Sequence, residues 1–398
     1  MRLLLVADVF PPSSISGALQ MRDLAAALVK GGHQPLVLVP DSGLDQSFAL
    51  SELEGVEVCR VRAPRTKDVS YVRRLAAEFI LPWVLRRGFR STSLADEYWD
   101  GIVWYSPSIF LGPFVAWFKR RYRCRSYLIL RDLFPDWAVD AGLLRRGGVV
   151  HRLLKAVERF QYRQANVIGV QTPANLPIVA TDAPVDAKLE VLHNWLDAPT
   201  AGTEADSHPL LDGFAGRKVF VYAGNMGVAQ DLYAFVELAS GLRDRSDVAF
   251  LLIGRGSEQA RLRKEAARLR LENFRIEDQV SQAELSLLLA HCYAGIIALH
   301  PAHGTHNIPG KLLTYLQAGL PVLARVNPGN DLHQLILDEG VGASVAGGPP
   351  EGLVEAALSI ADHPEACAAM GSRGKELAAR LFSPSAAAQQ VIKGLLLH

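Results

Sequence analysis

The stretch ALHPAHGTHNIPGKLLTYLQAGLPVLA, residues 298–324, decides how this chain folds. The apolar run Gly295–Leu299 reads as a strand that enters a polar loop carrying His300, His303 and His306. A helix opens at Pro309-Gly310-Lys311, ends at Ala318-Gly319, and hands over to a second apolar strand, Pro321–Ala324. Proline at the start and glycine at the end are ordinary helix punctuation. That leaves Lys311 and the three histidines unexplained. A helix N-terminus at the carboxyl edge of a parallel sheet is an anion site, because its first N–H groups are unpaired. The dipole alone stabilises an exposed anion by about 0.3–1 kcal/mol, so a diphosphate also needs cations. Lys311, expected to stand exposed in the first turn, supplies one.

Outward from this unit, strand-length apolar runs alternate with longer helical segments along the whole chain, the pattern of βαβ units and parallel sheets. The first half offers Leu3–Ala7, Leu36–Val39, Val56–Val61, Gly101–Tyr105, Ser126–Leu130, Val167–Val170 and Leu189–Leu192. Residues 197–216 are polar and rich in small side chains, a linker composition. Alternation resumes with Lys218–Ala223, Val248–Ile253, Phe274–Ile276, Tyr293–Leu299, Pro321–Ala324 and Ala343–Val345. The fold class is therefore α/β, two Rossmann-like parallel-sheet domains, expected to face one another across a cleft at their strand carboxyl ends.

A chain of 398 residues that is 49% hydrophobic and 21% charged has material for two such cores. Cys59, Cys124, Cys292 and Cys367 are far apart, which fits a reducing compartment and argues against a thiolate zinc site. No signal peptide is apparent and no apolar run reaches the roughly 18–20 residues of a spanning helix, so a cytoplasmic location is expected, with peripheral attachment to the inner face of the membrane as an option. The charge is uneven: between Glu57 and Arg131, 15 basic residues face 6 acidic ones. They flank Phe79-Ile80-Leu81-Pro82-Trp83 and Phe114-Val115-Ala116-Trp117-Phe118. Arginines beside aromatics suit an anionic membrane surface; a core helix with a solvated basic end fits the pattern equally well. No nucleic-acid recognition motif accompanies the charge.

Other strand ends carry candidate chemistry. Val221-Tyr222-Ala223-Gly224-Asn225-Met226-Gly227 leaves a strand through a loop in which two glycines would let N–H groups approach a phosphate, although Gly-x-x-Gly is more often a plain turn. Ile253-Gly254-Arg255-Gly256-Ser257 offers Arg255, which a solvated turn also explains. Leu130-Arg131-Asp132-Leu133-Phe134-Pro135 ends a first-half strand; Asp132 could accept a proton, cap a helix or pair with Arg131. The three histidines are a poor zinc site, with no cysteine or acid in the loop and broken spacing. There is no Asp-x-Asp pair to hold a metal on a diphosphate, no Gly-x-Ser-x-Gly elbow and no P-loop.

Residues 298–324 resemble the donor-binding signature of GT-B glycosyltransferases of family 4, notably the Pro-x-Lys run and Leu316-Gln317-Ala318-Gly319-Leu320-Pro321-Val322. The family's two glutamates, eight positions apart, are replaced by His306 and Thr314. Asp132 sits in a stretch similar to the family's Arg-Asp-x-x-Pro loop, and Pro11-Pro12 through Gly17 resembles its N-terminal Pro-Pro…Gly loop. The resemblance implies an N-terminal acceptor domain, 1–197, completed by a last helix at 383–398, and a donor domain, 198–382. It implies donor contacts from Gly17, Gly224, Asn225, Gly227, Arg255, His306, Ile308, Pro309, Gly310, Lys311 and Thr314, with Asp132 and Lys311 in catalytic roles. The implied activity is retaining, metal-independent and cofactor-free transfer of a sugar from a nucleotide-sugar, UDP-linked, to a lipid-linked or lipopolysaccharide acceptor. The threonine branch suggests an N-acetylated 6-deoxyhexosamine. Two other readings stay open: a nucleotide-sugar epimerase of the same fold, which needs no acceptor, and a two-domain solute-binding protein, against which Lys311 and the missing export signal count.

Overall fold

In the computed structural model, residues 1–13, 15–66, 69–140, 142–197, 208–301, 308–348 and 350–396 are described. Strands covered by helices on both faces can be apolar at every position. Gly101–Ser106 and Val248–Ile253 are buried throughout for this reason. The chain divides into two units, Met1–Trp195 with Pro384–His398, and Leu196–Ser383.

The first unit contains β1 (Arg2–Val6), β2 (Gln34–Asp41), β3 (Phe48–Leu53), β4 (Val56–Arg62), β5 (Gly101–Ser106), β6 (Arg125–Leu130), β7 (Val167–Val170) and β8 (Lys188–Val191). Their order is β3-β4-β2-β1-β5-β6-β7-β8, and the pairs are parallel apart from β3–β4. The sequence pattern does not predict β3, whose half-exposed residues form no apolar run. A turn sets it instead: Glu54 and Gly55, at φ 52° and 79°, join Leu53 to its partner Val56. Two positive φ values are what a two-residue hairpin requires.

The helices here are α1 (Ser16–Lys30), α2 (Tyr71–Arg90), α3 (Gly112–Tyr122), α4 (Asp136–Asp140), α5 (Val149–Tyr162) and α6 (Asn175–Ala180). The basic-aromatic region splits between two roles. In α3, Phe114 and Phe118 are buried core residues and Arg120 and Arg121 are exposed, which is the core-helix reading of that half. In α2, Phe79, Ile80 and Trp83 are on the surface. Among the described residues no helix is long and apolar enough to cross a membrane.

The second unit contains β9 (Lys218–Ala223), β10 (Val248–Ile253), β11 (Phe274–Glu277), β12 (Ala294–Ala298), β13 (Val322–Val326) and β14 (Gly342–Ala346), ordered β11-β10-β9-β12-β13-β14 and parallel. Around them lie α7 (Tyr233–Gly241), α8 (Gln259–Arg268), α9 (Gln282–Leu289), α10 (Gly310–Ala318), α11 (Asp331–Asp338), α12 (Pro350–Ala361) and α13 (Pro364–Leu381). Strand order reverses at β9, where ligands of such sheets bind beyond the carboxyl ends. The last helix, α14 (Pro384–Leu396), belongs to the first unit. Its Val391 and Leu395 are buried in the same cluster as Tyr127 of β6.

One contact seats α10. Gly295 in β12 lies under the ring of Tyr315, so close that a Cβ there would be 2.3 Å from the ring. The Tyr315 hydroxyl in turn accepts a hydrogen bond from the Ala223 N–H at 3.0 Å, tying α10 to the end of β9. Gly319, left-handed at φ 74°, ends the helix. Gly295→Ala is therefore expected to destabilise by about 1–3 kcal/mol, the cost of overpacking a filled core. Tyr315→Phe should cost about 1 kcal/mol for its lost hydrogen bond. Urea denaturation of both variants checks the order.

Candidate functional site

The second unit builds a site from backbone outward. Beyond the ends of β9 and β10 the ladder continues: Gly224 N–H donates to the Ile253 carbonyl at 2.8 Å and Met226 N–H to the Arg255 carbonyl at 2.8 Å. The two loops touch through bare backbone. A Cβ on Gly254 would lie 1.8 Å from the Gly224 carbonyl oxygen, and one on Gly256 2.3 Å from that of Met226. These glycines therefore serve close packing of two loops, as well as the turns read from sequence.

Lys311, in the first turn of α10, reaches into this loop pair. Its ammonium lies 4.9 Å from the centre of the Tyr222 ring. Its Cε would be 2.5 Å from a Cβ on Gly224, so the stem occupies space that only glycine leaves. Lys311 is thus half-buried, correcting the exposed placement expected from its helix position. Burial holds its pKa below the ordinary lysine value. Among the described residues no carboxylate pairs with it. The Tyr222 ring compensates in part, a cation–π contact contributing about 0.5–2 kcal/mol. Pro309 precedes α10 without a side-chain cap, so the first N–H groups stay available.

A cavity of about 440 Å³ opens here. It brings together Gly224, Asn225, Arg255, Lys311 and Thr314, which are far apart in sequence. Arg255 is exposed at its rim, and the Thr314 hydroxyl donates back to the Gly310 carbonyl at 3.4 Å. Gln279, Val280, Gln282 and Leu285 complete the wall. Sequence reading missed these four because the loop after β11 has no glycine to mark it, and Gln282 and Leu285 read as ordinary positions of α9. Its position after a third strand end of the same sheet was the available signal.

The remaining candidates fall elsewhere. Gly227 donates its N–H to the Gln230 amide oxygen at 3.1 Å, and Asn225 Nδ2 donates to the same oxygen at 3.0 Å, so this pair shapes the loop. Ile308 is a correction: it is 4% exposed and turned into the core, anchoring the approach to α10. His303 and His306 lie outside the described residues, and the neighbouring His300 N–H donates to the Ala229 carbonyl at 2.9 Å. Among the described residues no group of three His, Cys, Asp or Glu could hold a metal ion.

Gly17 and Asp132 belong to the first unit. A Cβ on Gly17 would lie 3.2 Å from the Tyr105 ring, whose hydroxyl donates to Gln20 Oε1 at 3.2 Å. Arg131 is buried at the end of β6, where it donates to the Leu192 carbonyl at 2.7 Å and the His193 carbonyl at 3.2 Å and stacks on Trp195 at 5.1 Å. Burial lowers its pKa to about 10. Its fork is spent on carbonyls rather than on Asp132, so the expected salt bridge is not what holds that carboxylate. Asp132 precedes α4 by several residues and does not cap it. Desolvation raises its pKa, against Arg131 and Arg74, making it a stronger base than a free aspartate.

Residues 217–363 match the family model "Glycosyl transferases group 1", and residues 17–195 match "Glycosyl transferase 4-like domain". Together the two models take in well over half of the chain, one on each unit. The chain belongs to the family 4 glycosyltransferases of GT-B fold. Among its relatives, "Probable glycosyltransferase WbjE" of Pseudomonas aeruginosa is 25% identical over 54% of this chain and 54% of that protein. "Putative colanic acid biosynthesis glycosyl transferase WcaI" of Escherichia coli (strain K12) is 24% identical over 61% of each. The chain thus aligns over only about half to three-fifths of these relatives' lengths. The structure of Anabaena HepE in complex with UDP and glucose has the same fold, with a TM-score of 0.65, 15% identity and 99% of both chains covered.

The Lys311 geometry has a pH signature. An anion bound beside the ammonium raises its pKa back up, so binding is strongest while Lys311 is protonated and weakens as pH rises through the depressed free-state value. UDP affinity, measured by calorimetry, should begin to fall at a lower pH in the wild type than in Lys311→Arg. Superimposable profiles would remove Lys311 from the anion site.

Proposed function

We propose that this protein is a retaining, metal-independent glycosyltransferase that moves a sugar from a UDP-linked donor to a lipid-linked or lipopolysaccharide acceptor in surface-polysaccharide assembly. The observation that carries the reading is Lys311: a half-buried cation that no carboxylate among the described residues pairs with, at a helix start, against a glycine loop, in a cavity large enough for a nucleotide. Desolvating an ammonium without a carboxylate is unfavourable, and an incoming diphosphate relieves it. A relative named for colanic acid biosynthesis and a structure of the same fold holding UDP and glucose support the acceptor and donor classes.

In the proposed reaction, the diphosphate leaves from one face of the sugar while the acceptor hydroxyl attacks on that same face. The hydroxyl proton passes to a leaving phosphate oxygen. Lys311 and the N–H groups at the start of α10 stabilise the charge that develops on the leaving group. Thr314 stands where a family glutamate meets the ribose, and Arg255 at the rim can reach the pyrophosphate or the base. Asp132 orients the acceptor hydroxyl. An epimerase of the same fold would act without acceptor, so donor turnover that does not depend on an acceptor would mark that reading instead. A donor panel that includes N-acetylated 6-deoxyhexosamines identifies the sugar.

Three outcomes follow. Lys311→Met keeps much of the stem but removes the charge, and should lower transfer efficiency ten- to a hundredfold, since a hydrogen bond to a charged group is worth about 1.5–3 kcal/mol. Asp132→Asn should slow transfer while UDP affinity stays at the wild-type value. EDTA should leave transfer unchanged. Wild-type turnover in Lys311→Met, or activity that EDTA abolishes and manganese restores, contradicts the mechanism.

A further inference from the structure

The first unit holds a second cavity, of about 380 Å³, beside the Asp132 loop. Its wall is mostly hydrocarbon: Ile109, Phe110, Phe134, Leu143, Leu144 and Leu154. Its polar end is formed by Asp132 with Arg74 and Glu78. There the Arg74 guanidinium donates to Glu78 Oε1 at 2.7 Å and the Ser108 hydroxyl to Glu78 Oε2 at 3.0 Å.

The apolar lining does not stop at the mouth. On α2, Leu75, Phe79, Ile80 and Trp83 are 43–55% exposed, and the Phe79 ring meets the lining residue Phe110 edge-on at 6.4 Å. At the start of α5, Val149 and Leu153 stand 85% and 64% exposed beside the lining residue Val150. Large apolar side chains clustered on two neighbouring elements mark a binding surface. Leu75, Phe79 and Trp83 lie at i, i+4 and i+8, and the same helical face continues into Arg87 and Arg90. Arg145 and Arg152 are exposed on the α5 side. Among the described residues none of these four arginines has a carboxylate partner.

We propose that this cavity binds the hydrocarbon chain of a lipid-phosphate-linked acceptor, with Arg145 and Arg152, which flank its lining residues Leu144 and Val150, meeting its phosphate and Asp132 meeting the sugar end. The assignment rests on the glycosyltransferase reading and gives its acceptor a defined subsite. A hydrocarbon pocket that ends in a carboxylate able to orient a hydroxyl is matched to a molecule with an apolar tail and a polar reacting head. The uncompensated cations match an anion between the two.

The test titrates the full-length protein with dimethylallyl, geranyl and farnesyl phosphate in detergent-free buffer, below their aggregation limits, by calorimetry. Affinity should rise at least about tenfold from the shortest to the longest chain. Ala138→Trp, which fills the cavity, should abolish this dependence. Because overpacking could unfold that variant, Leu143→Ser with Val150→Ser provides a second route, altering two exposed lining residues. The pair should weaken farnesyl phosphate about tenfold and leave UDP affinity unchanged. Equal affinity across the series, or an unaltered series in the double-serine variant, overturns the proposal. So does a concentration-dependent dimer that the same substitutions dissociate, which would make a second copy the occupant. UDP titration separates the two claims: nucleotide binding without chain-length dependence removes only the lipid subsite, while failure of UDP to bind removes the reading on which it rests.

Discussion

The donor-side arrangement depends on one steric fact: Gly224 has no side chain, and the stem of Lys311 fills the vacated space. With any other residue at 224, the lysine would have to leave its place over the Tyr222 ring. The same economy recurs in the adjoining loop, where Gly254 and Gly256 let backbone meet backbone. Hydrogen bonds that continue the β9–β10 ladder then fix the loops as extensions of the sheet. A cation held on so rigid a base loses little freedom when an anion arrives, and the ordering cost of binding falls accordingly.

The first unit reaches a comparable result by other means. Arg131 is buried at the end of β6 and spends its donors on the carbonyls of Leu192 and His193. That clamps the chain leaving β8 against the loop that presents Asp132. Further along, Lys155 of α5 contacts Asp136 of α4 at 3.0 Å and Asp182 beyond α6 at 2.7 Å. Partly buried pairs of this kind are weak evidence for stability, but removing one partner strands the others. Their role here is to hold α4 and α5 in place on either side of the Asp132 cavity.

Much of this was legible in the chain. Parallel strands buried on both faces announce themselves as apolar runs, and the loop glycines and Lys311 mark strand ends and a helix start. What sequence could not supply was side-chain direction. Tyr222 and Tyr315 look like core residues of a strand and a helix, yet one receives the ammonium and the other ties α10 to β9 through its hydroxyl. Ile308 sits within the signature but points into the core. Gln279 and Gln282 carry no local mark, since only the third dimension brings the loop after β11 to the cavity. In α3, Phe114 and Phe118 are buried while Arg120 and Arg121, in its last turn, are exposed, a split that charge pattern alone does not reveal. Strand β3 owes its place to a turn rather than to its own residues.

The most direct test of the central claim is a crystal structure of the protein with UDP bound. The account predicts the diphosphate beside the Lys311 ammonium, within hydrogen-bond reach of N–H groups at the start of α10 and in the Gly224 loop, with the uracil toward Gln279 and Gln282. A diphosphate seated elsewhere, leaving Lys311 packed on Tyr222 and untouched, would contradict it.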